Sequence, residues 1–251
     1  MAVGRASSWM DPLPVRRIVR REGASLPADR WPLTLAPIAQ LLDRGLDLGR
    51  STVLVGENGA GKSTLVEAIA IAYGLSREGG STGARHSTYA SESPLHDAIA
   101  LVRGAGASRW GYFLRAETTH GLFTYLHDNP GDRPEPDFHA LSHGESFLAM
   151  LGTERFDGKG LFVLDEPEAG LSFTAQLALV GSLHALTSQP GRQVLLATHS
   201  PVLAALPGTT ILQLDDTGIR ETRWEDLDVV DHYQRFLDAP QRYLRHIVDE
   251  G

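Results

Sequence analysis

One octapeptide constrains this chain more than any other stretch. Gly56-Glu57-Asn58-Gly59-Ala60-Gly61-Lys62-Ser63 fits the pattern G-x-x-x-x-G-K-[ST] in full. The apolar, β-branched run Thr52-Val53-Leu54-Val55 stands before it and reads as a buried strand. Thr64 to Leu75 follows and reads as a helix, with Leu65, Ile69 and Ala72 at helical spacing. The glycines let the loop double back, so successive backbone N–H groups converge on one point, and the positive end of the helix dipole faces the same point. Strand, turn and helix in this order make a cradle for phosphate, whereas a glycine-rich turn that binds nothing would not need all three. Gly56 to Thr64 are thus the expected nucleotide-binding residues. Lys62 is expected to reach the β- and γ-phosphates of the nucleotide, and the Ser63 hydroxyl to ligate Mg²⁺.

A chain of 251 residues can bury the core of one large domain with a small subdomain, and residues 1–251 read as that one domain. With 42% apolar and 22% charged residues the composition is that of a globular protein. A net charge of −8 argues against a generally basic, nucleic-acid-coating surface, though not against a local patch, so DNA stays open as a partner. The absence of cysteine excludes disulfides, thiolate chemistry and cysteine zinc sites. Met1 to Met10 lacks the apolar core of a leader, and no run approaches the ~20 apolar residues of a membrane span. The expectation is a cytoplasmic protein without membrane insertion.

Val15 to Val19 reads as a first strand, flanked by Arg16, Arg17, Arg20 and Arg21, which suit a solvated edge. Pro37 to Leu48 has helical periodicity. Residues 76–140 are the least regular part and read as an inserted, mostly helical subdomain. Within it, Ser93-Pro94 opens a helix through Arg103, Trp110 to Arg115 is strand-like, and Asp128 to Asp137 is a proline-rich loop. The nucleotide-binding core is then 1–75 together with 141–251. From Gly160 the pattern alternates: strand Leu161 to Asp165, helix Phe173 to Leu186 with Leu177, Val180 and Leu183 facing in, strand Gln193 to Thr198. A hairpin of Thr210 to Leu214 and Ile219 to Thr222 follows, then a helical tail from Asp228 to Val248 broken near Pro240. The fold class is α/β: a phosphate-loop sheet, mainly parallel with an antiparallel edge portion, plus a small helical subdomain.

Leu161-Phe162-Val163-Leu164-Asp165-Glu166 delivers two carboxylates to a strand's C-terminal end, where such sheets bind ligands. Asp165 is expected to hold Mg²⁺. Alternation of side chains along the strand sends Glu166 elsewhere, free to orient and deprotonate an attacking water. Leu141-Ser142-His143-Gly144-Glu145 contains Ser142-x-x-Glu145 ahead of Phe147-Leu148, the spacing of a helix-capping box. His199, in Ala197-Thr198-His199-Ser200-Pro201, ends the following strand.

Together these motifs, in this order, resemble the ABC-type ATPase superfamily. Leu141 to Glu145 resembles its LSGGQ signature, keeping Leu, Ser and the second Gly. His199 falls where the family carries a switch histidine that contacts the γ-phosphate. Glu-Pro-Glu-Ala-x-Leu-Ser over 166–172, with Ala-Thr-His-Ser-Pro afterwards, looks like the soluble bacterial "AAA family" ATPases related to chromosome-maintenance and recombination-repair heads. Transporter ATPases usually carry Thr or Ser where Glu168 stands and Asp where Ser172 stands. The short stretch between Ser63 and Leu141 leaves no room for a coiled-coil arm.

The resemblance implies ATP hydrolysis by a head-to-tail homodimer. Lys62, Glu166 and His199 would be catalytic, Ser63 and Asp165 would hold the metal, and Ser142, His143, Gly144 and Glu145 would act in trans. No glutamine lies between Lys62 and Leu141, so the family's Q-loop residue is absent, and Glu117 is the expected stand-in at the metal. Trp31 is the one aromatic candidate for adenine stacking, against a buried structural role. The rivals are a slow ATP-gated scaffold working through a protein partner and, less favoured, a transporter's motor subunit. The motifs do not choose ATP over GTP.

Overall fold

The computed structural model describes residues 12–24, 27, 29–77, 79–82, 93–128, 136–141 and 143–248. In chain order, β1 (Arg17–Arg20) leads to α1 (Ala36–Arg44), the short β2 (Leu46–Asp47) and β3 (Ser51–Val55). The phosphate-loop helix α2 (Lys62–Tyr73) is followed by β4 (Gly80–Ser81), α3 (Leu95–Ala98), β5 (Ile99–Val102) and β6 (Gly111–Arg115). Then come α4 (Thr119–Asp128), α5 (His143–Leu151), β7 (Gly160–Asp165), α6 (Phe173–Thr187) and β8 (Arg192–Thr198). The chain closes with α7 (Pro201–Ala204), β9 (Thr210–Asp215), β10 (Gly218–Thr222), α8 (Asp228–Asp238) and α9 (Pro240–Val248).

The main sheet has seven strands in the order β10-β9-β3-β8-β7-β6-β4. Its five central strands, from β9 to β6, run parallel, while β10 and β4 pair antiparallel at the two edges. This is the expected mainly parallel α/β sheet with an antiparallel edge portion. β3 and β7 are buried along their whole length, which explains why both read as unbroken apolar runs rather than alternating ones. Successive residues go to opposite faces: Val53, Val55, Phe162 and Leu164 pack under α5 and α6, while Leu54, Leu161 and Val163 pack against α1 and α2. α2 touches β7 and β8 on one side and β5 of a second sheet on the other. A helix so enclosed has to be apolar nearly all round, as Leu65, Val66, Ala68, Ile69 and Ala70 are.

That second sheet, β2-β1-β5, is antiparallel. It corrects two expectations. Ile99 to Val102 is strand, not the continuation of a helix to Arg103, because Ile18 and Val19 offer it a ladder that outweighs its helical spacing. β1 is the middle strand rather than an edge, and Arg17 is tied to Asp47 at 2.6 Å. α1 stops at Gly45, whose φ of 72° suits only glycine there, so Leu46 and Leu48 lie beyond the helix. On α6 the inward residues are Leu179, Leu183 and Leu186, and Leu177 is 49% exposed; a helix apolar on several sides hides which side faces the core.

Candidate functional site

The strands that carry the motifs are neighbours. β3, β8, β7 and β6 lie side by side and parallel, so all four release their following residues at one end of the sheet. The register aligns them: Val55 stands beside Thr198, and Asp165 lies between Ala197 and Arg115. Three separate stretches of sequence, ending at Gly56, Asp165 and His199, meet by this register alone.

The loop turns through Gly59 and Gly61, with φ of 85° and 92°, into α2. Lys62 is 3% exposed, and its ammonium donates to the carbonyls of Gly56 at 2.8 Å and Glu57 at 3.0 Å. Its third neighbour is Glu166 Oε1 at 3.7 Å. The Ser63 hydroxyl donates to Asp165 Oδ1 at 3.0 Å.

Asp165 is buried, and burial is the first cause of a pKa pushed up to about 6; the Arg115 guanidinium and the Ser63 hydrogen bond pull it down, and Glu166 and Glu117 add to the rise. Glu166 begins past the strand. It is the one described non-glycine residue with positive φ, at 49°. Strand alternation therefore does not govern it. Glu166 and Asp165 line one cavity of about 350 Å³ with Ser63, Arg115 and Glu117, while the Glu166 carboxylate reaches toward Lys62 and His199.

Arg115 was invisible as a site residue in the sequence. Its guanidinium reaches Glu67 at 2.9 Å, Asp165 at 3.3 Å and Glu117 at 3.4 Å. Glu67 sits one helical turn beyond Ser63, on the same face of α2. Glu117 itself is largely exposed and lines the cavity's mouth. The usable signal was the position of Arg115 at the end of an apolar strand, level with Asp165.

His199 lines a cleft of about 770 Å³ together with Gly56 to Ala60 of the phosphate loop and Asp228, Val229, His232 and Tyr233 of α8. Its Nδ1 is 3.3 Å from Glu168 Oε1 and 3.9 Å from Glu166 Oε1. Trp31 is neither buried nor in this cleft, being 47% exposed; Tyr233 is the aromatic that lines it.

α5 begins at His143, so the signature-like stretch does sit at a helix N-terminus. Ser142 lies outside the described residues. Gly144 faces Leu171 so closely that an added Cβ would meet its Cδ2 at 2.9 Å, and Glu145 is exposed.

An oxygen pair of hydroxyl and carboxylate, Ser63 with Asp165, suits Mg²⁺, which takes one or two protein oxygens and completes its octahedron with phosphate and water. Beyond this pair, the described residues hold no cluster of three or more His, Cys, Asp or Glu fit to ligate a metal. No described helix is long and apolar enough to cross a membrane.

Residues 112–205 match the family described as "AAA domain, putative AbiEii toxin, Type IV TA system". Among curated proteins, the zinc import ATP-binding protein ZnuC of Vibrio cholerae is 31% identical over 61% of this chain and 58% of its own length. The chain thus spans under two thirds of that relative. The cytochrome c biogenesis ATP-binding export protein CcmA of Gluconobacter oxydans is 30% identical over 62% of this chain and 72% of its own. Among solved structures, the SMC head domain from Thermotoga maritima aligns with 84% of this chain and 100% of that one, at 13% identity and a TM-score of 0.46.

Proposed function

The chain belongs to the ABC-type ATP-binding proteins, and we propose that it hydrolyses ATP as one head of an ATP-dependent homodimeric switch. One observation carries the reading: Lys62, Ser63, Asp165, Glu166 and His199 gather at the same ends of adjacent parallel strands. In the mechanism this supports, the loop amides and Lys62 take the β- and γ-phosphates, so Lys62 exchanges its carbonyl partners for phosphate oxygens. Ser63 and Asp165 would hold Mg²⁺, which neutralises phosphate charge when bound. Among the described residues, Glu166 is the carboxylate near both Lys62, at 3.7 Å, and His199, at 3.9 Å, which supports its role as the base that takes a proton from the attacking water. Arg115 supports the site as a fixed cation between Asp165, Glu67 and Glu117, holding the Asp165 carboxylate beside Ser63.

Dimerisation rests on the signature-like helix start at Leu141 to Glu145, which would approach the partner's γ-phosphate. A protein partner would read the opening and closing of the two heads. The curated relatives favour one rival, a motor subunit, since both carry transport names. Against it stands Glu168, a carboxylate built into the site where transporters have a small hydroxyl.

The test is steady-state ATPase activity with equilibrium ATP binding. Lys62→Ala should lose nucleotide affinity, whereas Glu166→Gln should keep it and lose turnover by on the order of 10²-fold or more. Equal turnover in wild type and Glu166→Gln would overturn the assignment of the base.

A further inference from the structure

Glu168 is a buried carboxylate that the hydrolytic reading above does not use. Its residue exposure is 6%, in the turn between β7 and α6. A buried carboxylate is costly unless it is well solvated by donors. Glu168 Oε1 collects donors from the far end of β8: the Thr198 hydroxyl at 2.5 Å, the His199 N–H at 2.8 Å and the Ser200 N–H at 3.2 Å. His199 Nδ1 stands 3.3 Å from the same oxygen, at ion-pair distance. Oε2 is buried with no hydrogen-bond partner, so the carboxylate is committed to this one cluster. Ser200 adds a brace through its hydroxyl, which donates to Gln176 Oε1 at 2.6 Å.

We propose that Glu168 is a positioning residue for His199: it pins the strand end Thr198 to Ser200 and accepts a hydrogen bond from Nδ1–H, which keeps that proton on the ring. The inference rests on the reading of His199 as a residue of the hydrolytic site. The hydrogen bond one ring nitrogen makes sets the state of the other. With Nδ1–H bonded to Glu168, Nε2 of the neutral ring is left as an acceptor. A small hydroxyl residue at this position could not reach around the turn to do both tasks. The carboxylate therefore acts on the site through His199.

The experiment is ¹⁵N NMR of the His199 ring in the wild-type protein at pH 8, paired with turnover and ATP affinity of Glu168→Ala, Glu168→Gln and His199→Ala. The wild-type ring should be the Nδ1–H tautomer, and Glu168→Ala should shift it toward Nε2–H, the form free imidazole prefers. Turnover of Glu168→Ala should fall on the order of 10- to 100-fold with ATP affinity held within about threefold, since misplacing a catalytic group costs rate more than binding. Glu168→Gln, which keeps an acceptor oxygen of the same reach, should recover part of that loss. An Nε2–H ring in the wild type overturns the proposal even if Glu168→Ala fails to fold. So does full turnover in Glu168→Ala while His199→Ala is inactive. Undiminished turnover in His199→Ala overturns the underlying reading of His199, and the proposal with it.

Discussion

Asp165 carries an electrostatic conflict. Burial raises its pKa to about 6 from 3.8, although Arg115 and Ser63 both favour the charged form. A carboxyl whose pKa is higher folded than unfolded binds protons more tightly in the native state, so it destabilises the fold above that pKa, and the cost fades as pH falls through the window from 6 to 3.8. The shift corresponds to about 3 kcal/mol at pH 8 and roughly half of that at pH 5. Asp165→Asn should therefore raise the urea-unfolding free energy of the metal- and nucleotide-free protein at pH 8, with a gain that shrinks by pH 5. A gain independent of pH would contradict this account. That Asp165 ends a strand was legible in the four apolar residues before it. The left-handed turn of Glu166 and the triple ion pairing of Arg115 were not, because both depend on what stands beside the strand end rather than on the strand itself.

Elements arrive at the site through close backbone approach, and Gly56 is a tight instance. It leaves β3 directly beside β9, and a Cβ there would meet the Leu214 carbonyl oxygen at 2.4 Å. Backbone cannot yield as a side-chain tip can, so Gly56→Ala should cost about 1–3 kcal/mol of stability and displace the phosphate loop, as overpacking does. The paired readouts are chemical denaturation and ATP affinity; a variant unchanged in both would show that β9 is free to move. Fully buried strands such as β3 and β7 announce themselves by unbroken apolar runs. β5 does not. Ile99-Ala100-Leu101-Val102 fits helical spacing and strand equally well, and its partner β1 lies far away in the chain. α6 shows the same limit, since Leu177 and Leu179 are equally apolar and only the packing tells which is inside.

On the scale of the whole molecule, parallel order is what unites the site. Four neighbouring strands released at one end bring residues from 56 to 199 together without any long-range sequence signal. The α/β class and the parallel core followed from strand–helix alternation after Gly160. The small antiparallel sheet did not, since its three strands come from scattered segments of two to four residues. Turnover separates the two principal readings of the assembled protein: a hydrolytic switch works within the usual range of about 1 s⁻¹ and above, whereas an ATP-gated scaffold falls well below it. The most direct test of the two-head mechanism is the mass in solution of Glu166→Gln with and without Mg-ATP. With water activation blocked, the ATP state should persist, and a monomer should become a dimer only when Mg-ATP is present. A protein that binds ATP and remains monomeric would contradict the mechanism, leaving Leu141 to Glu145 as a helix start and nothing more.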